Sequence, residues 1–351
     1  MVIRINPHQQ AVWRDPHTLQ IGLGNNHKVF QRLTPAQEKL IAALYQGIAN
    51  QHLETFGEQL GLTATESSAL VGQLDGLLEK SRPIDPKHRP LAPELVESAF
   101  AEIVRASLQT GFNGEQVLIE RRQRKISIDA LGGSGLALAL GLATAGIGKI
   151  YSADTSKVTP GDLGPTGFPT QLLGHSKLNA LNLLLAASPN QSRVHAMPLK
   201  EHQLDQMDCA ILAGSQVLEP KRYATWMNRD VPHLAITSSA NVVSVSPMII
   251  PGQTPCLFCL DVSRASADPT WAAVASQLVG RKHKFDDATA QFFSAGLALQ
   301  KVLQLIDSVG GFAEAIANPF GYELQRETGE LAELRWPMAP DCGCRLAPGL
   351  Q

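Results

Sequence analysis

The feature that most constrains the fold is the stretch ALGGSG, Ala130–Gly135, which stands between a strand-like run and a long apolar helical run. The strand-like run is KISID at 125–129, and Asp154 follows the next such run, 19 residues after Gly135. A strand, a glycine turn, a helix, a second strand and an acid in this order are typical of dinucleotide-binding folds. The glycines admit phosphates, the helix N-terminus favours their charge, and the acid accepts ribose hydroxyls.

The candidate nucleotide-binding residues are therefore Gly132, Gly133, Gly135 and Asp154. A second interpretation stays open, in which the glycines serve only to let the helix pack closely against the strand. Further sequence features have to decide between the two.

The rest of the chain supports an α/β fold. From Lys125 onward, short apolar runs alternate with longer helical ones, which predicts a Rossmann-like, mostly parallel sheet with helices on both faces. The predicted strands lie at 126–129, 149–153, 194–198, 209–213 and 233–237, and the predicted helices include 134–145, 176–187 and 286–309. Residues 241–260 are expected to form a more β-rich layer.

Three parts are predicted along the chain. Residues 1–82 form a small α+β module, in which a strand pair at 11–13 and 19–22 precedes three helices. Residues 83–120 are a linker with a bridging helix near 94–108 and a strand near 116–119. Residues 121–351 form the main domain, which ends in a cysteine-containing tail.

Composition excludes several classes of protein. The net charge of −2 gives no overall attraction to nucleic acid or to an anionic membrane. The N-terminal residues lack the apolar core of a signal peptide, and the apolar runs are too short to span a bilayer. Five cysteines in 351 residues are too few for a disulfide scaffold. We expect a cytoplasmic protein with reduced thiols.

Four of the five cysteines form two close pairs, Cys256 with Cys259 and Cys342 with Cys344. A pair two residues apart is a common half-site of tetrahedral zinc, because one turn directs both thiolates at one ion. A closed site of four cysteines predicts structural Zn²⁺ that pins the tail to the core. A redox dithiol and unliganded thiols remain alternatives. Cys209, in an apolar strand, is expected to be a buried core thiol.

Together these features resemble the ThiF/MoeB superfamily of ubiquitin-activating-enzyme-like proteins over about residues 120–345. The resemblance rests on the glycine loop, AGIGK at 145–149, Asp154, GHSK at 174–177 and the cysteine pairs. It implies ATP and Mg²⁺ as ligands, adenylation of a small protein's C-terminal carboxylate, zinc on two cysteine pairs, and a homodimer. It also implies that Asp154 binds ribose and that Lys177 lies near the phosphates.

Several positions depart from the family pattern. Ala130 replaces the first glycine of the loop, and Ser156 replaces a second acid. Pro165 stands at the phosphate-binding arginine, Asp162 at an asparagine and Ser215 at the metal-associated aspartate. Attack of a carboxylate on an α-phosphate brings two anions together, so it depends on cations over the phosphates. The departures predict weakened adenylation unless another group, such as Asp208 or Arg222, substitutes; no catalytic residue is assigned.

The N-terminal module resembles a winged helix, and in particular the peptide-clamp domain of proteins that process ribosomally made peptides, such as the partners of azoline-forming cyclodehydratases. That resemblance implies a leader peptide added as a strand beside the sheet, with Leu19–Leu23 as the edge strand, and a YcaO-type partner enzyme. A structural or dimerising role is the alternative.

The leading hypothesis is thus a weakened ThiF-like protein that binds a peptide or small protein and presents it to a partner enzyme. An active adenylyltransferase is the second hypothesis, and a DNA-binding regulator is the third. DNA binding conflicts with the charge of the supposed recognition helix at 65–81, where Glu66, Asp75 and Glu79 stand against Lys80.

Overall fold

The computed structural model divides the chain into two compact units, residues 1–120 and 121–351. It describes residues 2–82, 85, 87–186, 191–198, 200–281, 285–313 and 320–344.

The N-terminal unit combines a three-stranded antiparallel sheet with helices. Strands β2, β3 and β4 form that sheet in this order, and the short strands β1 and β5 pair with each other. The described elements are, in chain order, β1 (Val2–Ile3), β2 (Ala11–Asp15), β3 (Thr18–Leu23), β4 (Asn26–Gln31), α1 (Pro35–Gln46), β5 (Ile48–Ala49), α2 (Leu53–Gln59), α3 (Ala64–Gln73), α4 (Pro93–Ser98), α5 (Phe100–Thr110) and α6 (Gly114–Arg121).

Local signals explain where the helices begin. Thr34 and Thr63 each accept a hydrogen bond from the third helical residue, whose side chain bonds back to the threonine N–H, as in a capping box. One face of α1 then packs Leu40 and Leu44 into a core that it shares with Leu19 and with residues of β3, β4 and α3. The predicted strand pair and three helices of this unit are present.

Three predictions in this unit are wrong. Residues 116–119 lie in helix α6 and not in a strand, and the expected helix at 94–108 is divided into α4 and α5. Leu19–Leu23 is not an edge strand, because β3 pairs with β2 on one side and with β4 on the other.

The second unit contains one mixed sheet and the helices that cover it. Its described elements are β6 (Lys125–Ile128), α7 (Ser134–Thr144), β7 (Lys149–Ser152), α8 (Lys177–Leu185), β8 (Arg193–Ala196), α9 (Glu201–Leu204), β9 (Cys209–Ser215), α10 (Pro220–Met227), β10 (His233–Ser238), β11 (Val242–Val245), α11 (Leu257–Ala267), α12 (Trp271–Leu278), α13 (Ala288–Val309), β12 (Gly321–Gln325) and β13 (Leu331–Leu334).

The order of this sheet is β13-β12-β11-β10-β9-β6-β7-β8. The five strands from β10 to β8 are parallel, and β11, β12 and β13 extend the sheet as antiparallel strands. The strand order reverses between β6 and its two neighbours, β7 and β9, which follow it on opposite sides. In such sheets ligands bind outside the carboxyl ends of the strands at the point of reversal.

Helices cover both faces of the sheet. Ile211 of β9 belongs to a core that includes residues of α7, α8 and α13. Its neighbours Ala210 and Leu212 belong to a second core with residues of α10 and α11. Successive residues of a strand point to opposite faces, so the sheet lies between two helical layers and the predicted fold class is confirmed.

The layer expected at 241–260 is only partly β. Strand β11 accounts for its beginning, but α11 starts at Leu257. None of the helices in the described ranges combines the length and the apolar character that crossing a bilayer requires.

Candidate functional site

A cavity of about 270 Å³ opens at the carboxyl ends of β6, β9 and β10. The residues that line it come from segments that are far apart in the chain, as expected at the point where the strand order of an α/β sheet reverses. Its lining includes Gly132, Gly133, Ser134, Asp162, Lys177, Ser215, Asp286 and Gln291. Of the predicted nucleotide-binding residues, Gly132, Gly133 and Lys177 line the cavity, whereas Gly135 and Asp154 are not among the described lining residues.

The glycine loop makes a tight turn into helix α7. Gly133 has a φ of +54°, in the left-handed region that favours glycine. A Cβ on Gly135 would lie 1.8 Å from the carbonyl oxygen of Ala130, so a side chain there is incompatible with the turn. The loop is therefore a tight turn whose close backbone packing brings α7 against β6.

Lys177, the first residue of α8, is already paired inside the cavity. Its Nζ lies 3.1 Å from Oδ1 of Asp162, and both side chains are largely buried. The other carboxylate oxygen of Asp162 accepts a hydrogen bond of 2.9 Å from the N–H of Thr159. Burial acts to raise the pKa of Asp162, but the Thr159 hydrogen bonds and Lys177 outweigh it and hold the pKa below its usual value. Asp162 stays charged and neutralises the lysine.

Asp154 is tied to its own neighbourhood. Its carboxylate accepts hydrogen bonds of 2.8 Å from the N–H of Leu131 and 2.9 Å from the N–H of Ser156. Burial acts to raise the pKa of Asp154, yet these hydrogen bonds and the charge of Lys177 lower it overall. The acid thus fixes the glycine loop to the end of β7.

Asp286 is a lining residue of the cavity that the sequence patterns did not reveal. Its carboxylate accepts a hydrogen bond of 2.6 Å from the N–H of Ser134 and one of 2.5 Å from the Ser134 hydroxyl, at the first residue of α7. Burial raises the pKa of Asp286, and these hydrogen bonds only partly oppose that effect. An internal carboxylate thus occupies the N-terminus of the helix that follows the glycine loop.

The two groups proposed as substitutes for missing charges are each paired with other residues. Asp208 lies at the opposite, amino end of β9, where it accepts a hydrogen bond of 2.7 Å from the N–H of Lys125. Arg222 binds the carboxylate of Asp129 and donates a hydrogen bond of 2.7 Å to the carbonyl of Ala213. Neither side chain is among the described residues that line the cavity. Among the described residues that line the cavity, the charged side chains are those of Asp162, Lys177 and Asp286.

The four paired cysteines meet in space. The Sγ atom of Cys256 lies 3.7 Å from that of Cys259 and 3.5 Å from that of Cys342, and Cys259 lies 3.5 Å from Cys344. All four sulfur atoms lie within 4.8 Å of one another, and all four residues are buried. A tetrahedron of sulfur atoms about 2.3 Å from zinc has edges of about 3.8 Å. The cluster therefore fits a closed metal site such as that of structural zinc.

Two hydrogen bonds from the C-terminal segment hold this cluster. The indole N–H of Trp336 donates a hydrogen bond of 2.8 Å to the carbonyl of Cys256, and the N–H of Ala339 lies 3.4 Å from the Cys259 sulfur. Burial raises the pKa of the Cys344 thiol to about 11. Cys209 lies apart from the cluster as a fully buried core thiol, as predicted.

The outer strands of the N-terminal sheet are exposed. Every residue of β2 is exposed, and in β4 only Phe30 is buried. Trp13 and Val29 present apolar side chains on these strands, 51% and 37% exposed. An irregularity between Trp13 and Asp15 interrupts the pairing of β2, whereas β4 pairs with β3 along its whole length.

A scan of known family models and a search of the curated proteins found no match to this chain. Solved structures do match. The structure of E. coli MccB with ATP superposes with a TM-score of 0.70 at 15% identity, over 98% of this chain and 100% of that one.

Two further structures match to a similar extent. MccB in complex with N-formylated MccA gives a TM-score of 0.68 at 15% identity, over 98% of this chain and 99% of that one. PaaA gives a TM-score of 0.67 at 17% identity, over 94% and 98%. At these identities the likeness shows the fold alone: the chain has the α/β fold of these solved structures.

Proposed function

We propose that this protein binds a peptide or small protein and presents it to a partner enzyme, for example one of the YcaO type, while its own adenylation site is weakened. The observation that carries the proposal is the charge around the glycine loop. Asp162 and Asp286 both line the cavity, and Lys177 is already neutralised by Asp162. The proposal includes structural zinc on the four cysteines, a homodimer and a cytoplasmic location.

Adenylation needs the opposite charge balance. A carboxylate must approach the α-phosphate of an anionic triphosphate, and preorganised cations and metal ions lower that barrier. Removing one such stabilising group costs about 3–4 kcal/mol of barrier. Pro165 and Ser215 stand where the family pattern has an arginine and an aspartate, so two groups are missing. Their combined loss leaves little catalysis.

The N-terminal sheet supports peptide binding by strand addition, in which backbone hydrogen bonds provide the affinity. Because β3 is paired on both sides, the candidate edges are β2 and β4, and β4 is the better one, because the irregularity in β2 interrupts regular pairing at the other edge. The likeness to MccB, which has been solved in complex with N-formylated MccA, extends over both units of this chain and supports the binding of a partner chain here.

Calorimetry with Mg·ATP, together with a pyrophosphate-release assay, tests the nucleotide half of the proposal. We expect weak or absent ATP binding and no pyrophosphate release, with or without peptides encoded beside the gene. Micromolar ATP affinity combined with peptide-dependent pyrophosphate release would show an active adenylyltransferase. The likeness to MccB with bound ATP favours this second candidate, which makes the assay decisive.

Replacing Val29 by proline tests the peptide half. Leu23 and Asn26 face each other across a two-residue loop and form a hydrogen-bonded pair. From there, hydrogen-bonded and non-hydrogen-bonded pairs alternate along the two strands. Val29 belongs to a non-hydrogen-bonded pair, so its N–H points away from β3 to the outer edge of the sheet. Proline removes that donor and is tolerated on edge strands. We expect V29P to weaken binding of a captured peptide about tenfold, and V29A to change it little. Equal affinities of V29P and V29A, measured by fluorescence anisotropy, would rule out strand addition at β4.

A further inference from the structure

We propose that Asp286 determines what the cavity excludes: its carboxylate occupies the phosphate position at the N-terminus of α7, so any anionic ligand must displace it. This inference rests on the proposed weakened ATP site, and it names the residue that closes that site. Pro165 and Ser215 stand where the resemblance implies an arginine and an aspartate, so they are missing interactions. Asp286 adds a repulsion and a physical obstruction.

The geometry places the carboxylate at the glycine turn. The N–H and the hydroxyl of Ser134 both donate to Asp286, at 2.6 and 2.5 Å. A Cβ on Gly133 would lie only 1.9 Å from the Asp286 carboxylate. The space that the glycine leaves open for a phosphate is therefore filled by a side chain of the same protein. Helix N-termini bind anions through these free N–H groups, and here the donor at Ser134 is in use.

Asp286 is held in this position from both sides. Asp287 caps α13 by accepting a hydrogen bond of 2.9 Å from the N–H of Ala290, and it also pairs with Arg326. Arg326 donates a second hydrogen bond to the carbonyl of Phe285. The residues on either side of Asp286 are thus fixed by one arginine, which makes the position of the carboxylate a built feature of the fold.

A second interaction fixes Ser134, the residue that donates to Asp286. The hydroxyl of Ser294, on α13, donates a hydrogen bond of 2.8 Å to the Ser134 hydroxyl, which in turn donates to Asp286. This chain of hydroxyls is buried and links α13 to α7. Across the loop, a Cβ on Gly132 would lie 2.8 Å from Nζ of Lys177 and 3.2 Å from Oδ1 of Asp162. Within the described lining, an incoming phosphate meets two carboxylates and one ammonium group.

Equilibrium dialysis with radiolabelled Mg·ATP tests the inference. D286N keeps the size of the side chain and removes its charge, and D286A removes both the charge and the obstruction. Each is compared with the wild type and with D268N, which alters an exposed aspartate that accepts a backbone hydrogen bond at another helix start, outside the cavity. We expect D286N to bind Mg·ATP about tenfold or more tightly, D286A at least as tightly as D286N, and D268N like the wild type.

Thermal unfolding of each variant checks that it is folded, and D286N alone carries the test if D286A does not fold. Dissociation constants of D286N within twofold of the wild type would overturn the inference. The proposed function fails by a separate readout, which is peptide-dependent pyrophosphate release by the wild type. Tight Mg·ATP binding by D286N, together with no pyrophosphate release by the wild type, would support both the inference about Asp286 and the proposed function.

Discussion

Replacing Cys342 by serine removes one of the four sulfur atoms that meet between α11 and the C-terminal tail. The observed separations of 3.5 to 3.7 Å between neighbouring sulfur atoms match a tetrahedral Zn–S₄ site with edges of about 3.8 Å. We expect one zinc per chain in the wild type and its loss in C342S. Metal binding contributes directly to folding in such sites, about 10–16 kcal/mol in isolated zinc-finger peptides.

The effect on stability is smaller than that binding energy, because only the tail depends on the metal. Trp336 and Ala339 pack with the cysteines in one buried cluster, and their release exposes an indole and several apolar groups. A loss of about 3 kcal/mol corresponds to a fall of about 6–12 °C in Tm for a domain of this size. Treatment of the wild type with a zinc chelator is expected to produce the same fall.

The matched control is C209A, which removes a buried thiol that lies outside the cluster. It is expected to lose about 1–2 kcal/mol from a small cavity and to keep its zinc. Metal content is measured by mass spectrometry and Tm by calorimetry. A wild type with far less than one metal per chain, or a C342S variant with unchanged Tm and chelator response, would refute the metal site.

Three further predictions concern the glycine cavity. D162N releases Lys177 from its ion pair, and dialysis is expected to show severalfold tighter Mg·ATP binding; an unchanged affinity would contradict the charge argument. Because the pKa of Asp286 is raised, this carboxylate is neutral below that pKa, so wild-type ATP binding should strengthen as the pH falls towards it. ATP binding by D286N should not strengthen in this way, and identical pH profiles of D286N and the wild type would refute the prediction. G135A places a Cβ 1.8 Å from a backbone oxygen and should lower stability by about 1–3 kcal/mol or more, measured by urea unfolding against G296A, whose Cβ meets open space.

The parallel strands could be predicted because buried central strands are continuous apolar runs bounded by turns. The cysteine pairs could be predicted to meet because their spacing carries the chemistry of a metal site. The prediction failed at Val117, Leu118 and Ile119, where a strand was expected and the structure has helix α6. They are all buried, and a short apolar run does not distinguish a buried strand from a buried helix.

Polar edge strands and long-range contacts could not be predicted from the sequence. Strand β4 buries Phe30 alone, so its sequence has no apolar–polar alternation that indicates a strand. Without β4, the sequence pattern predicts β3 as an edge strand. Asp286 stands beside Asp287 at the start of α13. The pair predicts a helix cap, but the local sequence does not show which of the two residues provides it. In the structure Asp287 caps the helix, and Asp286 accepts a hydrogen bond from Ser134, 152 residues away.

Exchange of radiolabelled pyrophosphate into ATP measures adenylation most directly. It is run on the zinc-loaded wild type with Mg²⁺ and candidate peptides encoded beside the gene. The charge balance around Gly132 and Gly133 predicts exchange no faster than in a sample without protein. Peptide-dependent exchange well above that background would contradict the account, because it would require positive charge over the phosphates that Lys177, paired with Asp162, does not provide.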